Sequence, residues 1–208
     1  PYILLADQRL AEVDELLPIL ELVMEEGRPL AVFAQDVRDA ALAVLVVNKV
    51  RETFRSVAVR LPWPDEERRT LLEDLGVLTG GTVVRAGVGG GLPSATVAML
   101  GRARRVITTR DESTVVDGAG DIDAIRRRVR QIRTEIERED PGQDQRLLRE
   151  RLARLAGGVA VLRVGEASDA HLRARRRQID DAVRSAKAAV DWESAWTGVN
   201  KTVDVNES

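Results

Sequence analysis

The chain has 208 residues, of which 44% are hydrophobic and 32% charged, with a formal net charge of −2. That balance supports a packed core, excludes wholesale disorder and gives no general attraction to nucleic acid or an anionic membrane. There is no cysteine and a single histidine, His171, which removes disulfides, thiolate metal sites and most Ser–His constellations. With 3% aromatic residues, the core must be aliphatic. No run approaches the roughly 18 apolar residues of a membrane span, and no signal peptide opens the chain. Together with the missing cysteines, this predicts a cytoplasmic protein. A start at Pro1 rather than Met and a polar "VNES" end are those expected of an excised piece of something longer.

In chain order, "YILLAD" (2–7) predicts a short buried strand. "DELLPILELVMEEG" (14–27) predicts a helix with Pro18 in its first turn and Gly27 as its stop. "PLAVFAQD" (29–36) is a second strand, "DVRDAALAVLVVNKVR" (36–51) a second helix and "FRSVAVRL" (54–61) a third strand. "DEERRTLLEDLGVLTGG" (65–81) is a helix closed by glycines, and "TVV" (82–84) is short and extended. This β-α-β-α-β-α order predicts an α/β fold, a parallel or mixed sheet flanked by helices. After the glycine-rich 86–95, "RRVITTR" (104–110) and "STVVDG" (113–118) read as a hairpin turning at Asp111 and Glu112. Two charged helices, 121–140 and 144–158, are broken by "DPGQ". "VAVLRVG" (159–165) is a last strand, 168–190 a long helix, and 191–208 a loosely ordered tail.

Two of these helices are apolar on more than the one face a sheet would cover. With Leu42 at 0° and an advance of about 100° per residue, Val46 lies near 40° and Val47 near 140°, while Val44 lies near 200°. Val44 and Ala41 mark the stripe for the sheet, which leaves Leu42, Val46 and Val47 outside it. In the preceding helix Leu17, Leu20 and Met24 fall within about 60° of one another, against Ile19, Leu22 and Val23 on the other side. Each Leu or Val left uncovered forgoes about 1.5–3 kcal/mol of burial. Either another layer of the domain covers the second stripes, or they form an open surface for a partner that brings its own apolar residues.

Eight ordered blocks carry a resemblance. "PYILLADQRLAEVDELLPILE", "GRPLAVFAQDV", "ALAVLVVNKVR", "LLEDLGVLTGGTVV", "RRVITTRDESTVVDGAGD", "RVRQIRTEIE", "RERLARLAGGVAVLRVGEAS" and "IDDAVRSAKAAV" resemble, in order and spacing, the group I chaperonins of the GroEL family. The resemblance runs from Pro1 to about Val190. It implies an apical, polypeptide-binding domain over 1–158, the C-terminal part of an intermediate domain over 159–190, and a divergent tail over 191–208. In that family the apical domain binds non-native polypeptides, and then the mobile loop of a GroES-like co-chaperonin, in a groove between two helices. The matching positions are Leu17, Leu20, Leu42, Val46 and Val47, with Glu21, Asn48 and Arg51 at the rim. "IDDAV" resembles the segment whose aspartate helps activate water for ATP hydrolysis, which places that role on Asp181. ATP, Mg²⁺ and K⁺ belong in the family to an equatorial domain that has no counterpart here, so the resemblance implies no enzyme in this chain alone. Ring neighbours are implied only for a full-length subunit.

The chain departs from the family's pattern in three places. "LPWPDEERR" (61–69) stands where the family reads like "APGFGDRRK", 86–98 lacks the acidic pattern usual there, and the chain diverges after Val190. A fragment and a truncated paralogue serving as an interaction module both remain open. So does a nucleotide- or metabolite-binding α/β domain, which would need a convergent polar pocket at the strand ends. "GVGGG" (87–91) lacks phosphate-loop spacing and reads as a loop, and "TGG" (79–81) as a helix stop. The arginines at 126–128 and 175–177 alternate with acids and read as ion-paired faces. Asp117, Asp121 and Asp123 read as a strand end and a helix cap rather than a cation site. "NKT" (200–202) is an idle glycosylation acceptor, and Trp192 and Trp196 lie in the tail.

Overall fold

Three apolar segments alternate their side chains between two covered faces, which requires helices on both sides of the sheet. In a computed structural model they are strands β1 (Tyr2–Leu10), β2 (Leu30–Val37) and β3 (Ser56–Arg60). The structure describes residues 1–87, 91–109, 112–157 and 159–163, all within the first of two units, Pro1–Gly165 and Glu166–Ser208. The expected helix 168–190 with Asp181, the arginines at 175–177, the tail and its tryptophans lie outside the described residues.

The strands are joined by helices α1 (Val13–Glu25) and α2 (Asp39–Val50), and α3 (Asp65–Thr79) follows β3. A short β4 (Val83–Val84) leads on to the hairpin β5 (Gly101–Thr108) and β6 (Glu112–Gly118). Helices α4 (Ile122–Arg138) and α5 (Gln143–Ala156) and strand β7 (Val159–Arg163) complete the described chain. The sheet runs β3-β2-β1-β5-β6-β7, with β4 also pairing β1. The pairings of β1 with β2, of β2 with β3 and of β1 with β4 are parallel, and those from β5 to β7 are antiparallel. The sheet is therefore mixed. β1 binds β5 through Tyr2 and Ile3 and β4 through Leu5 and Ala6, so both share one side of the same strand.

Alternation sorts the core into two clusters. Tyr2, Leu4, Ala6, Leu30, Val32 and Ala34 pack with residues of α1 and α2, while Ile3, Leu5, Ala31 and Phe33 pack with those of α3, α4 and α5. At the second face, the hairpin docks close on the end of α3. A Cβ on Gly118 would overlap the Leu78 carbonyl, and the Gly120 amide donates to that carbonyl at 2.9 Å.

Some boundaries shift, with identifiable causes. α1 starts at Val13 because Glu15 reaches back to the amides of Ala11 and Glu12, at 2.8 and 3.0 Å. Pro18 consequently lies in the second turn rather than the first, and cannot donate to the Asp14 carbonyl. α2 starts at Asp39 rather than 36, since Asp36 and Val37 stay paired with Arg9 and Leu10 of β1. β5 begins at Gly101, where it reaches β1. β7 lies beyond residue 158, where the apical part is expected to end, yet it pairs with β6 within the first unit.

Candidate functional site

Nine large apolar side chains stand exposed among the described residues, and six belong to α1 and α2: Leu17, Met24, Leu42, Val46, Val47 and Val50. The two helices pack against each other on one face of the sheet. α2 is anchored through only two fully buried side chains, Ala41 and Leu45. Val44 is half-buried against the same cluster. The opposite side of α2 is left to solvent: Val46 is 49% exposed and Val50 76%. These are the residues that the helical period places away from the sheet.

Leu17 and Leu20 part company. Leu17 is 41% exposed, whereas Leu20 is 3% exposed and belongs to the core, a correction to its expected place on the open face. α1 is flanked by a short 3₁₀ turn, Leu92–Ser94, and Leu92, Ala95 and Leu100 complete the apolar cluster that contains Leu20. That chain segment widens the buried side of α1 beyond the arc a sheet alone would cover. Val50 is an exposed member of the surface outside the expected set, and Met24, which the helical angle puts on the second stripe, is exposed although the resemblance does not name it. Their helical angles, close to those of Leu17 and Val46, were the available signal.

The polar positions also divide. Glu21 and Arg51 are exposed. Asn48 is committed to closing α2: its Nδ2 donates to the Val44 carbonyl at 2.8 Å, and its Oδ1 accepts from the Thr53 hydroxyl at 2.9 Å. Glu52 follows in a left-handed conformation, φ 56°, unusual for a residue with a side chain. Asn48 thus acts here as a helix-end residue.

The carboxyl ends of parallel strands, where α/β enzymes commonly hold ligands, are filled by the chain's own charges. Asp7 accepts from Arg68 Nε at 2.9 Å and from Arg69 Nε at 3.2 Å, and Arg68 also holds Asp65 at 2.8 Å. The hydrogen bond from Arg68, with its positive charge, keeps the exposed Asp65 carboxyl below its ordinary value. An open depression of about 250 Å³ lies instead at the amino ends of β2 and β3, lined by Leu30, Ser56, Arg55 and Arg105 among others. Among the described residues, no group of three or more His, Asp or Glu side chains is placed to hold a metal ion. Asp121 caps α4 by accepting from the Ala124 amide at 2.7 Å, Asp117 pairs with Arg104 and Asp123 with Arg126.

No family model matches the chain. Among solved structures it is similar to the chaperonin gp146 from the bacteriophage EL 2 (Pseudomonas aeruginosa), crystallised in the presence of ATP-BeFx. For one crystal form the TM-score is 0.46 at 13% identity, covering 90% of this chain and 38% of that one. For a second form it is 0.47 at 15% identity, covering 90% and 37%. The chain thus spans less than two fifths of the length of the proteins it matches. A likeness this distant bears on neither activity nor partner.

Proposed function

We propose that the chain is the polypeptide-capturing part of a chaperonin-like protein. By the resemblance its apical domain spans 1–158 and a piece of intermediate domain 159–190, of which β7 joins the apical sheet through β6, and the exposed apolar surface of α1 and α2 forms the capture site. The observation that carries this reading is the concentration on two adjacent helices of six of the nine large apolar side chains exposed among the described residues. A surface of that kind is a cost to a free domain and a gain to a complex. Leu17, Leu42, Val46 and Val47 supply non-directional contact, which suits partly folded chains of any sequence that expose aliphatic residues. The family resemblance of the sequence supports the same partner. It also supports competition by a co-chaperonin loop for that surface, with ATP-driven movement in a full-length subunit shifting the population of open states. In that setting Asp181 would assist hydrolysis of a nucleotide held, with Mg²⁺ and K⁺, by a domain outside this chain, which by itself is not an enzyme.

The test is aggregation of a denatured client followed by light scattering. The chain should suppress it near stoichiometric ratio without ATP. Replacing Leu17, Leu42 and Val46 together by Ser should abolish suppression while the circular dichroism spectrum stays unchanged. Full suppression by that variant would sink the assignment. Saturable binding of a nucleotide or metabolite by the chain would favour a small-molecule α/β domain instead.

A further inference from the structure

We infer that the surface of α1 and α2 prefers apolar segments edged with Lys or Arg. This rests on the capture reading above and adds a charge preference to it. Between Glu12 and Glu26 the chain carries six acidic residues and no basic one. Three of the six are engaged: Glu12 and Glu15 close the capping box, and Glu26 accepts from the Tyr2 hydroxyl at 3.3 Å. Asp14, Glu21 and Glu25 are exposed, and among the described residues none of them has a hydrogen-bond or ion-pair partner.

Their spacing matters. At about 100° and 1.5 Å per residue, positions 14, 21 and 25 fall within about 40° of one another along about 16 Å of helix. This acidic line runs beside Leu17 and Met24, the exposed apolar residues of the same helix. The last turn of α1 contains no basic residue, although cations are the residues that stabilise that end of a helix against its own dipole. Glu25 therefore adds to a field that is already negative. The cations nearest in sequence are Arg9 ahead of α1 and Arg28 just beyond it, and α2 adds Lys49 with Arg38 and Arg51 at its two ends. None forms an ion pair with the three carboxylates. On α3, α4 and α5, by contrast, acids such as Glu73, Asp74, Asp123 and Glu150 each have an arginine. An incoming segment with basic residues flanking its apolar ones supplies the charges that this helix lacks.

The test uses the whole chain and three fluorescent peptides with the same leucines, flanked by Lys, Gln or Glu, measured by anisotropy. At low salt the Lys peptide should bind about five- to tenfold more tightly than the Gln peptide, the sum of three exposed pairs, and the Glu peptide more weakly than either. In about 1 M salt, where the Debye length is about 3 Å, the spread should shrink to about twofold. The variant carrying Asp14→Asn, Glu21→Gln and Glu25→Gln should bring the three affinities within about twofold of each other at low salt. Equal affinities for the unaltered chain, or a preference that survives in the variant, would overturn the inference while leaving the capture surface standing. Failure of all three peptides to bind would overturn the capture surface and the charge preference together.

Discussion

The two helical layers cover one sheet and treat their outer sides in opposite ways. α1 and α2 turn Leu17, Met24, Leu42, Val46, Val47 and Val50 to solvent, and among the described residues the one ion pair at either helix is Arg38 with Asp39. α3, α4 and α5 are tied together by charge. Asp74 of α3 accepts from Arg128 of α4 and from Arg151 of α5, each at 2.8 Å, and all three side chains are largely buried. The contrast shows that burying an inner stripe is enough to hold a helix on the sheet. The outer side is then free to be neutralised within the chain, as in one layer, or left for a partner, as in the other.

That contrast assigns the largest effect of a single change to the charged layer. Asp74→Ala should lower stability by about 3–5 kcal/mol in urea unfolding, because it strands two largely buried guanidinium groups. A loss under about 1 kcal/mol would mean that the network only decorates the layer. Next comes a paired test within α1. Leu20→Ala should cost about 2–4 kcal/mol as a core truncation, while Leu17→Ala should stay within about 0.5 kcal/mol and show its effect in client binding. Similar costs for the two would erase the boundary between core and surface on that helix.

The smallest effect concerns Asp65, whose carboxyl is held below its ordinary value of 3.8 chiefly by the hydrogen bond from Arg68. A carboxyl with a lowered folded-state value adds stability above its unfolded value. That stability is lost as pH falls through the lower, folded value. Thermal melts of the unaltered chain and of Asp65→Asn should therefore differ slightly at neutral pH and converge as the pH drops below 3.8. Because Asp65 is exposed, salt should shrink the difference too. A gap that widens in acid would reverse the assigned sign.

Much of this was legible in the residues because helical and strand periods are local properties. The alternation of β1 and β2, the outward direction of Leu42, Val46 and Val47, the stop at Gly27 and the cap at Asp121 all follow from neighbours a few positions away. Leu20 was not legible. Its angle differs from that of Leu17 by about 60°, and the difference becomes burial only because the segment around Leu92 packs beside α1. The resemblance alone places Asn48 at a rim. At about 240° from Leu42 it lies with Val44 and Ala41 on the arc that faces the sheet, where Thr53 and the Val44 carbonyl claim its amide.

By itself, the sequence determined the order of strands and helices, the aliphatic character of the core and the excess apolar surface on two helices, all set by composition and short-range spacing. Only the tertiary structure decided which of those apolar residues stay wet, that β5 joins β1 antiparallel, and that Asp74 gathers two arginines from distant helices. Each of these depends on segments brought together across long stretches of chain, and no local pattern records which distant segment will arrive.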